Sequence, residues 1–168
     1  MPATWPSLLS FGLLLAGIVL LLSAALHDFM ARTVPNGVAA TLAVIGIAVR
    51  VLAGGLAAGL LVGLIVFALA AFCWRRGWMG GGDVKLLAAT ALLVPPPLVP
   101  SFVTVVAICG GALALIYLVA RRYVGPPRSA RPQSLLARAL RVERWRIRRG
   151  GPLPYACAIA AGGLFILL

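Results

Sequence analysis

The sequence contains few acids: only Asp28, Asp83 and Glu143 carry a carboxylate side chain, against fifteen lysines and arginines. Charged residues make up 11% of the chain and hydrophobic residues 62%. A soluble domain averages about 25% charged and about 45–50% apolar residues. One chain of 168 residues could not keep so much apolar surface out of water. The composition therefore indicates an integral membrane protein with a single domain, residues 1–168.

Histidine and cysteine are also scarce. The only histidine is His27, and the cysteines Cys73, Cys109 and Cys157 are far apart, with no CxxC pair. Zinc sites and disulfide frameworks need characteristically spaced cysteines or histidines. The sequence therefore predicts neither a metal site nor a cofactor, and it offers no convincing serine–histidine arrangement. We interpret the cysteines as small apolar packing residues.

The basic residues are concentrated in one segment. Ten of the fifteen lie between Arg121 and Arg149, in a segment flanked by apolar stretches. A basic segment beside a membrane span is typical of a cytoplasmic loop that faces anionic lipid. Sequence motifs of RNA- and DNA-binding proteins are absent, so the positive charge does not indicate a nucleic-acid partner.

Long apolar stretches predict six transmembrane helices, since one span needs about 20 apolar residues. Residues 38–72 would extend about 50 Å as a single helix at about 1.5 Å per residue, so two spans joined near Arg50–Gly55 are expected. A short span, Val84–Val99, ends at the triple proline 95–97, because proline cannot continue a helix. The other predicted spans are Trp5–Leu26, Ser101–Ala120 and Pro154–Leu168.

The distribution of positive charge predicts an orientation. Six crossings place fourteen basic residues on one side of the membrane and only Arg50 on the other. Loops rich in lysine and arginine stay in the cytoplasm, so both termini are expected outside. Ser23-Ala24-Ala25 resembles a signal cleavage site, but the first stretch has no basic region before it. We therefore expect this span to be retained.

The basic segment 121–151 also has an amphipathic pattern. On a helical wheel, most of its arginines lie opposite one broad apolar face, which predicts a helix lying at the membrane surface. A solvated basic loop is the alternative, because Glu143 and Arg146 interrupt the apolar face. The apolar face comprises Leu135, Leu136, Ala139, Leu140, Val142 and Ile147, and the opposite face Arg138, Arg141, Arg144 and Arg148.

Two of the three acids lie at predicted membrane boundaries. Asp28 ends the first span and Asp83 begins the fourth, so both are expected on the cytoplasmic side. Two neighbouring carboxylates tend to share one proton, as aspartic proteolysis requires. Purely structural roles are the alternative: Asp83 could cap a helix, and Asp28 could pair with Arg32. Glu143 lies among arginines, so a local ion pair is expected for it.

Three segments resemble the type IV prepilin peptidases, which are polytopic GxGD aspartyl peptidases. Residues 80–86 (GGGDVKL) resemble the GxGD motif, and residues 28–36 (DFMARTVPN) resemble the family's first motif. Residues 154–160 (PYACAIA) are similar to its closing Pro-Tyr motif, although Ala156 stands where many relatives have glycine. The three segments occur in the family's order and span nearly the whole chain.

The resemblance implies that Asp28 and Asp83 are the catalytic pair. It also implies a group of residues that shape the site or contact substrate, the glycines by letting an extended substrate approach the backbone. We expect Lys85 to meet headgroups or backbone carbonyls, and Arg32 to orient Asp28 or to bind lipid. This group comprises Gly80, Gly82, Lys85, Arg32, Pro35, Asn36, Pro154 and Tyr155.

The chain also departs from the longer prepilin peptidases, which carry a cytoplasmic region, often with paired CxxC motifs, and methylate the new N-terminus. It therefore resembles the compact peptidases of tight-adherence pilus systems. The resemblance implies a multi-pass protein of the bacterial inner membrane that removes the leader of prepilin-like substrates without methyl transfer. The alternatives are an assembly scaffold, a small transporter that uses the two acids as ion sites, and a peptidase with another client.

Overall fold

The computed structural model describes residues 5–125, 134–151 and 153–168, and within them all regular structure is helical. A short 3-10 turn, Pro96–Leu98, precedes the fifth helix. The helices are α1 (Trp5–Ala31), α2 (Asn36–Leu52), α3 (Leu56–Arg75), α4 (Gly81–Leu93), α5 (Val99–Tyr123), α6 (Leu135–Arg149) and α7 (Tyr155–Leu167).

Two short helices, α4 and α7, form the core of the bundle. Helix α4 packs against α2, α3 and α7, while α7 also packs against α1 and α5. Both helices have 13 residues, and about half of each is buried. Because α4 and α7 are surrounded, the groups at their ends are held in fixed positions by several neighbours.

The longer helices turn apolar side chains outward. Leu8, Phe11 and Val19 on α1 and Ile108 on α5 are each at least 60% exposed. Three helical segments are long and apolar enough to cross a membrane: Ser7–Ala31, Leu56–Arg75 and Pro96–Tyr123. Shorter apolar helices are Asn36–Leu52 and Tyr155–Leu167. The expected all-α, polytopic membrane fold is confirmed, because lipid is the solvent that such a surface requires.

The predicted boundaries differ most at α4. This helix begins at Gly81 and ends at Leu93, whereas the sequence predicted a span that continued to Val99. Val94 is extended and the chain then enters the prolines, where Pro95 lacks the N–H that would continue the helix. The predicted break near Arg50–Gly55 is confirmed, since α2 ends at Leu52 and α3 begins at Leu56.

The amphipathic helix predicted in the basic segment is also confirmed as α6. Arg128 and Arg131 of that segment lie outside the described residues, as do the side chains of Leu135, Leu136 and Ala139. Gly55, Gly59 and Gly63 recur every four residues, a pattern that predicts the close approach of a neighbouring backbone, but they do not face one. Gly59 and Gly63 contact the side chains of Arg50 and Leu92, and Gly55 has no close neighbour.

Candidate active site

Asp28 lies in the last turn of α1 and is 5% exposed. Its Oδ2 accepts a hydrogen bond from the backbone N–H of Ala156, at 3.3 Å. Ala156 is the second residue of α7, whose N-cap, Pro154, has no side chain able to cap the helix. Unpaired N–H groups at a helix start favour a carboxylate. Asp28 therefore supplies the capping acceptor that α7 lacks.

Asp83 lies in the first turn of α4, three residues after the N-cap, Gly80. Its carboxylate interacts with the backbone N–H of Gly80. A carboxylate that reaches back from this position to the N-cap amide is one half of a capping box. The interpretation of Asp83 as the N-cap itself is therefore wrong. Asp83 and Asp28 are thus each held beside the start of a central helix.

The glycines before Asp83 make room for neighbours from the same chain. A Cβ on Gly80 would lie 2.9 Å from Oδ2 of Asp83, and a Cβ on Gly82 would lie 3.2 Å from the Cβ of Val34. Val34 belongs to the loop between α1 and α2. Glycine at position 82 therefore lets that loop pack against the start of α4, and glycine at position 80 leaves space for the carboxylate.

One cavity of about 710 Å³ brings the two aspartates together. A smaller cavity of about 280 Å³ beside it is also lined by both of them, together with Asn36 and Gly82. The charge of Asp28 acts on the carboxyl group of Asp83 across this space. The larger cavity is lined by Asp28, Arg32, Gly77, Trp78, Met79, Gly80, Asp83, Gly110, Gly111, Ala114, Leu153 and Tyr155.

Tyr155 and Pro154 lie at the start of α7, next to Asp28. The ring of Tyr155 lines the cavity and packs against α5, where a Cβ on Gly110 would lie 2.7 Å from its Cε2 atom. Pro154 is fully buried and does not line either cavity. Tyr155 thus forms part of the cavity wall, whereas Pro154 sets the start of the helix.

Arg32 ends α1 with a backbone φ of 57°, in the left-handed region. Its N–H donates to the carbonyl oxygen of Asp28 at 2.8 Å. Its guanidinium forms an ion pair with Glu143 of α6 and donates to Tyr117 of α5. The ion pair of Arg32 with Asp28, considered from the sequence, is therefore replaced by one with Glu143.

Glu143 is a second buried acid at this end of the bundle, and it is 7% exposed. It forms the predicted local ion pair, with Arg146, and a second ion pair with Arg32. It also accepts a hydrogen bond from Tyr117. Burial raises the pKa of the Glu143 carboxyl, but hydrogen bonds from Tyr117 and Arg32 and the charge of Arg32 hold it below its ordinary value. Glu143 is therefore ionised at neutral pH.

Three other predicted residues lie around the loop that links α1 to α2. Pro35 is the N-cap of α2, and its carbonyl accepts from the N–H of Val38 at 3.1 Å. The side-chain oxygen of Asn36 accepts from Nζ of Lys85 at 2.9 Å. Lys85 lines neither cavity that holds the aspartates, but it lies at the polar end of an apolar one.

Sequence reasoning missed Tyr117, Arg146 and the role of Glu143. Glu143 is 111 residues from Arg32, so its partner was not visible in the local pattern of charges. A signal was present, however. Glu143 and Arg146 interrupted an otherwise apolar helix face, and polar residues on such a face indicate a buried polar contact.

The fold and the site together define a polytopic helical membrane protein with two carboxyl groups around one cavity. A model of the type IV leader peptidase family matches residues 15–115, more than half of the chain, including Asp28 and Asp83. The chain belongs to this family, which makes it a membrane protease of the type IV leader peptidase kind. Neither the curated proteins nor the solved structures gave a match.

Proposed function

We propose that the protein is an aspartic endopeptidase that cleaves the leader peptide of prepilin-like precursors at the cytoplasmic face of the bacterial inner membrane. The observation that carries this proposal is the cavity lined by both Asp28 and Asp83. The chain has only three acids, and two of them meet in one cavity. A carboxylate is costly near a membrane, so such a pair favours a functional role over a purely structural one.

The two aspartates share one proton and one negative charge in the resting site. Asp28 is better placed to carry the charge, because it accepts the N–H of Ala156 and has Arg32 and Arg146 nearby. Asp28 takes a proton from water, and the hydroxide oxygen bonds to the scissile carbonyl carbon. Asp83 gives its proton to the carbonyl oxygen. Collapse of this intermediate breaks the C–N bond and re-forms a carbonyl, as one of its hydroxyl groups returns a proton to Asp83 and Asp28 gives its proton to the leaving amine.

The substrate segment that follows the cut is apolar in this family, and an apolar cavity adjoins the site. This cavity of about 520 Å³ lies between α2, α3 and α4. Asn36 lines both this cavity and the smaller one that holds the aspartates. Half of the residues that line the apolar cavity, among them Ala39, Ala43 and Ala88, are alanine or glycine, and small residues of this kind leave room for a packed helix. We place the hydrophobic helix of the precursor here.

Helix α6 is proposed to rest on anionic lipid headgroups. It exposes the arginines Arg138, Arg148 and Arg149, and Trp145 beside them is 47% exposed. Basic side chains next to exposed apolar ones are typical of helices that lie at a membrane surface. With α6 on the cytoplasmic leaflet, the aspartates also lie on that side.

Purified protein in detergent, mixed with a precursor that has a basic leader and an apolar helix, tests the proposal. Mass spectrometry of the processed N-terminus is expected to show one cut before the apolar helix and no added methyl group. Asp28→Asn and Asp83→Asn are each expected to lower cleavage by about 10²-fold or more, since each removes a proton-transfer group. Both variants should unfold near the wild-type temperature.

Undiminished cleavage by either variant would contradict the paired mechanism. Two further assays separate other functions. Normal pilus assembly in cells that carry only an Asn variant would indicate a scaffold. Ion flux through liposomes without cleavage would indicate a transporter.

A further inference from the structure

Among the described residues, a buried polar cluster joins helix α6 to the membrane helices. Glu143 is at its centre, paired with Arg32 at the end of α1 and with Arg146 one turn further along α6. Tyr117 of α5 donates to the same carboxylate. The cluster therefore joins α6 to two of the long helices at the end of the bundle where the aspartates lie.

Arg146 also forms hydrogen bonds with backbone carbonyl groups at the end of α1. Its guanidinium donates to the carbonyl oxygen of Phe29 at 3.2 Å and to that of Met30 at 3.1 Å. Carbonyl groups in the last turn of a helix have no partner within the helix, and a cation there is favourable. Asp28 belongs to this same turn. A side chain of α6 thus holds the backbone that carries one of the two aspartates.

The cluster also balances charge beside Asp28. The guanidinium groups of Arg32 and Arg146 lie close enough for their charges to act on its carboxylate, and Glu143 neutralises part of that charge. The titratable and charged groups around Asp28 are His27 and Arg32 at the end of α1, Asp83 on α4, Glu143 and Arg146 on α6, and Tyr155 and Cys157 on α7.

We propose that Glu143 and Arg146 make α6 a positioning clamp, which fixes the last turn of α1 and keeps Arg32 paired with Glu143 rather than with Asp28. The inference rests on the proposed function, because it assigns these residues to the efficiency of the same peptidase. Neither residue lines the cavity. They are therefore positioning residues that act through Asp28.

The test compares Glu143→Gln and Arg146→Gln with Arg144→Gln in the detergent cleavage assay. Arg144 is exposed on the same helix and next to Glu143, so its variant loses the same charge as Arg146→Gln without touching the cluster. We expect kcat to fall about tenfold in Glu143→Gln and Arg146→Gln, since small displacements of a reacting group have effects of this order. KM should stay within about twofold, and Arg144→Gln should match wild type.

The pH profile separates positioning from a general loss of stability. Without the charge of Glu143, the two arginines favour the ionised form of the aspartate pair. The bell-shaped profile of kcat/KM is therefore expected to move to lower pH, by about one unit in Glu143→Gln. Glu143→Asp keeps the charge and should restore the position of the profile.

Wild-type kcat and pH profile in both cluster variants would overturn the clamp, and so would an equal loss in Arg144→Gln. If Glu143→Gln does not fold, Arg146→Gln decides alone, because the Arg146 side chain is 17% exposed and its loss leaves the Arg32 pair in place. Other results would contradict the proposed function itself: wild type would not cleave the precursor, or Asp28→Asn would cleave it as well as wild type.

Discussion

Each end of the bundle buries an arginine side chain, but the two make different contacts. Arg32 pairs with Glu143 and donates to Tyr117 at the end that holds the aspartates. Arg50, 7% exposed at the opposite end, donates to the carbonyl oxygen of Leu93 at 2.9 Å. Leu93 is the last residue of α4, and a cation suits a helix C-terminus. The first end brings several ionisable groups together, whereas at the second end a cation binds a backbone carbonyl at the end of a helix.

This difference shows how to separate chemistry from structure in a membrane protein. A charged side chain is costly at either end, so neither arginine is there by accident. All three acids of the chain, however, lie at the end of Arg32. In the proposed function the carboxyl groups gathered there serve proton transfer and its support, whereas Arg50 contacts a backbone carbonyl.

The largest difference between the two ends is expected in stability. Arg32→Met leaves Glu143 buried with less of its compensating charge, and breaking a buried ion pair costs about 3–5 kcal/mol. Arg50→Met leaves only the carbonyl of Leu93 without its partner, which costs about 1–3 kcal/mol. Thermal or denaturant unfolding in one detergent measures both variants.

Cleavage activity gives a second test of Arg50. Purified Arg50→Met is expected to keep wild-type kcat, because Arg50 lies a helix length from the aspartates. An unfolding free energy that falls more for Arg50→Met than for Arg32→Met would contradict the contrast between the ends.

A smaller effect is expected from adding one methyl group at either end. In Gly80→Ala the new Cβ would lie 2.9 Å from Oδ2 of Asp83, and in Gly59→Ala it would lie 2.7 Å from Cγ of Arg50. The φ of Gly80 is −72°, which alanine adopts freely. We expect kcat to fall about 10- to 100-fold in Gly80→Ala, because the carboxylate must move. Gly59→Ala should change stability alone, so an equal loss of kcat in both would break the comparison.

The smallest effect is expected at Lys85. Its side chain is exposed and makes one hydrogen bond, to Asn36. Lys85→Met should change the unfolding free energy by about 0.5 kcal/mol or less. Cleavage kinetics should show an unchanged kcat and at most a modest rise in KM, since Lys85 lines the apolar cavity. Loss of kcat would place Lys85 in the chemistry.

Much of the fold could be predicted from the sequence, because lipid-facing helices need long apolar stretches. The break between α2 and α3 followed from length, and the prolines marked the region where α4 ends, although the predicted span continued to Val99. The positions of Asp28 and Asp83 stood out because carboxylates are so rare in the chain. Their placement at one end of the bundle was predicted from the charge count, which favoured six crossings that alternate sides.

The contacts of single side chains could not be predicted in the same way. Arg32 and Glu143 each had a plausible local partner, and the interrupted apolar face of α6 indicated a buried polar contact but not a partner 111 residues away. The glycines before Asp83 were interpreted as space for substrate. At Gly82 the space is taken by Val34, and at Gly80 by the carboxylate itself. Such contacts depend on packing between distant segments.

The most direct test of the account is the kcat/KM of Asp28→Asn combined with Asp83→Asn, measured beside the two single variants. Groups that share a proton act as a unit, so the double variant is expected to be no slower than the slower single variant. Losses that multiply would mean that the two aspartates act independently, and wild-type activity in any of the three would contradict the dyad.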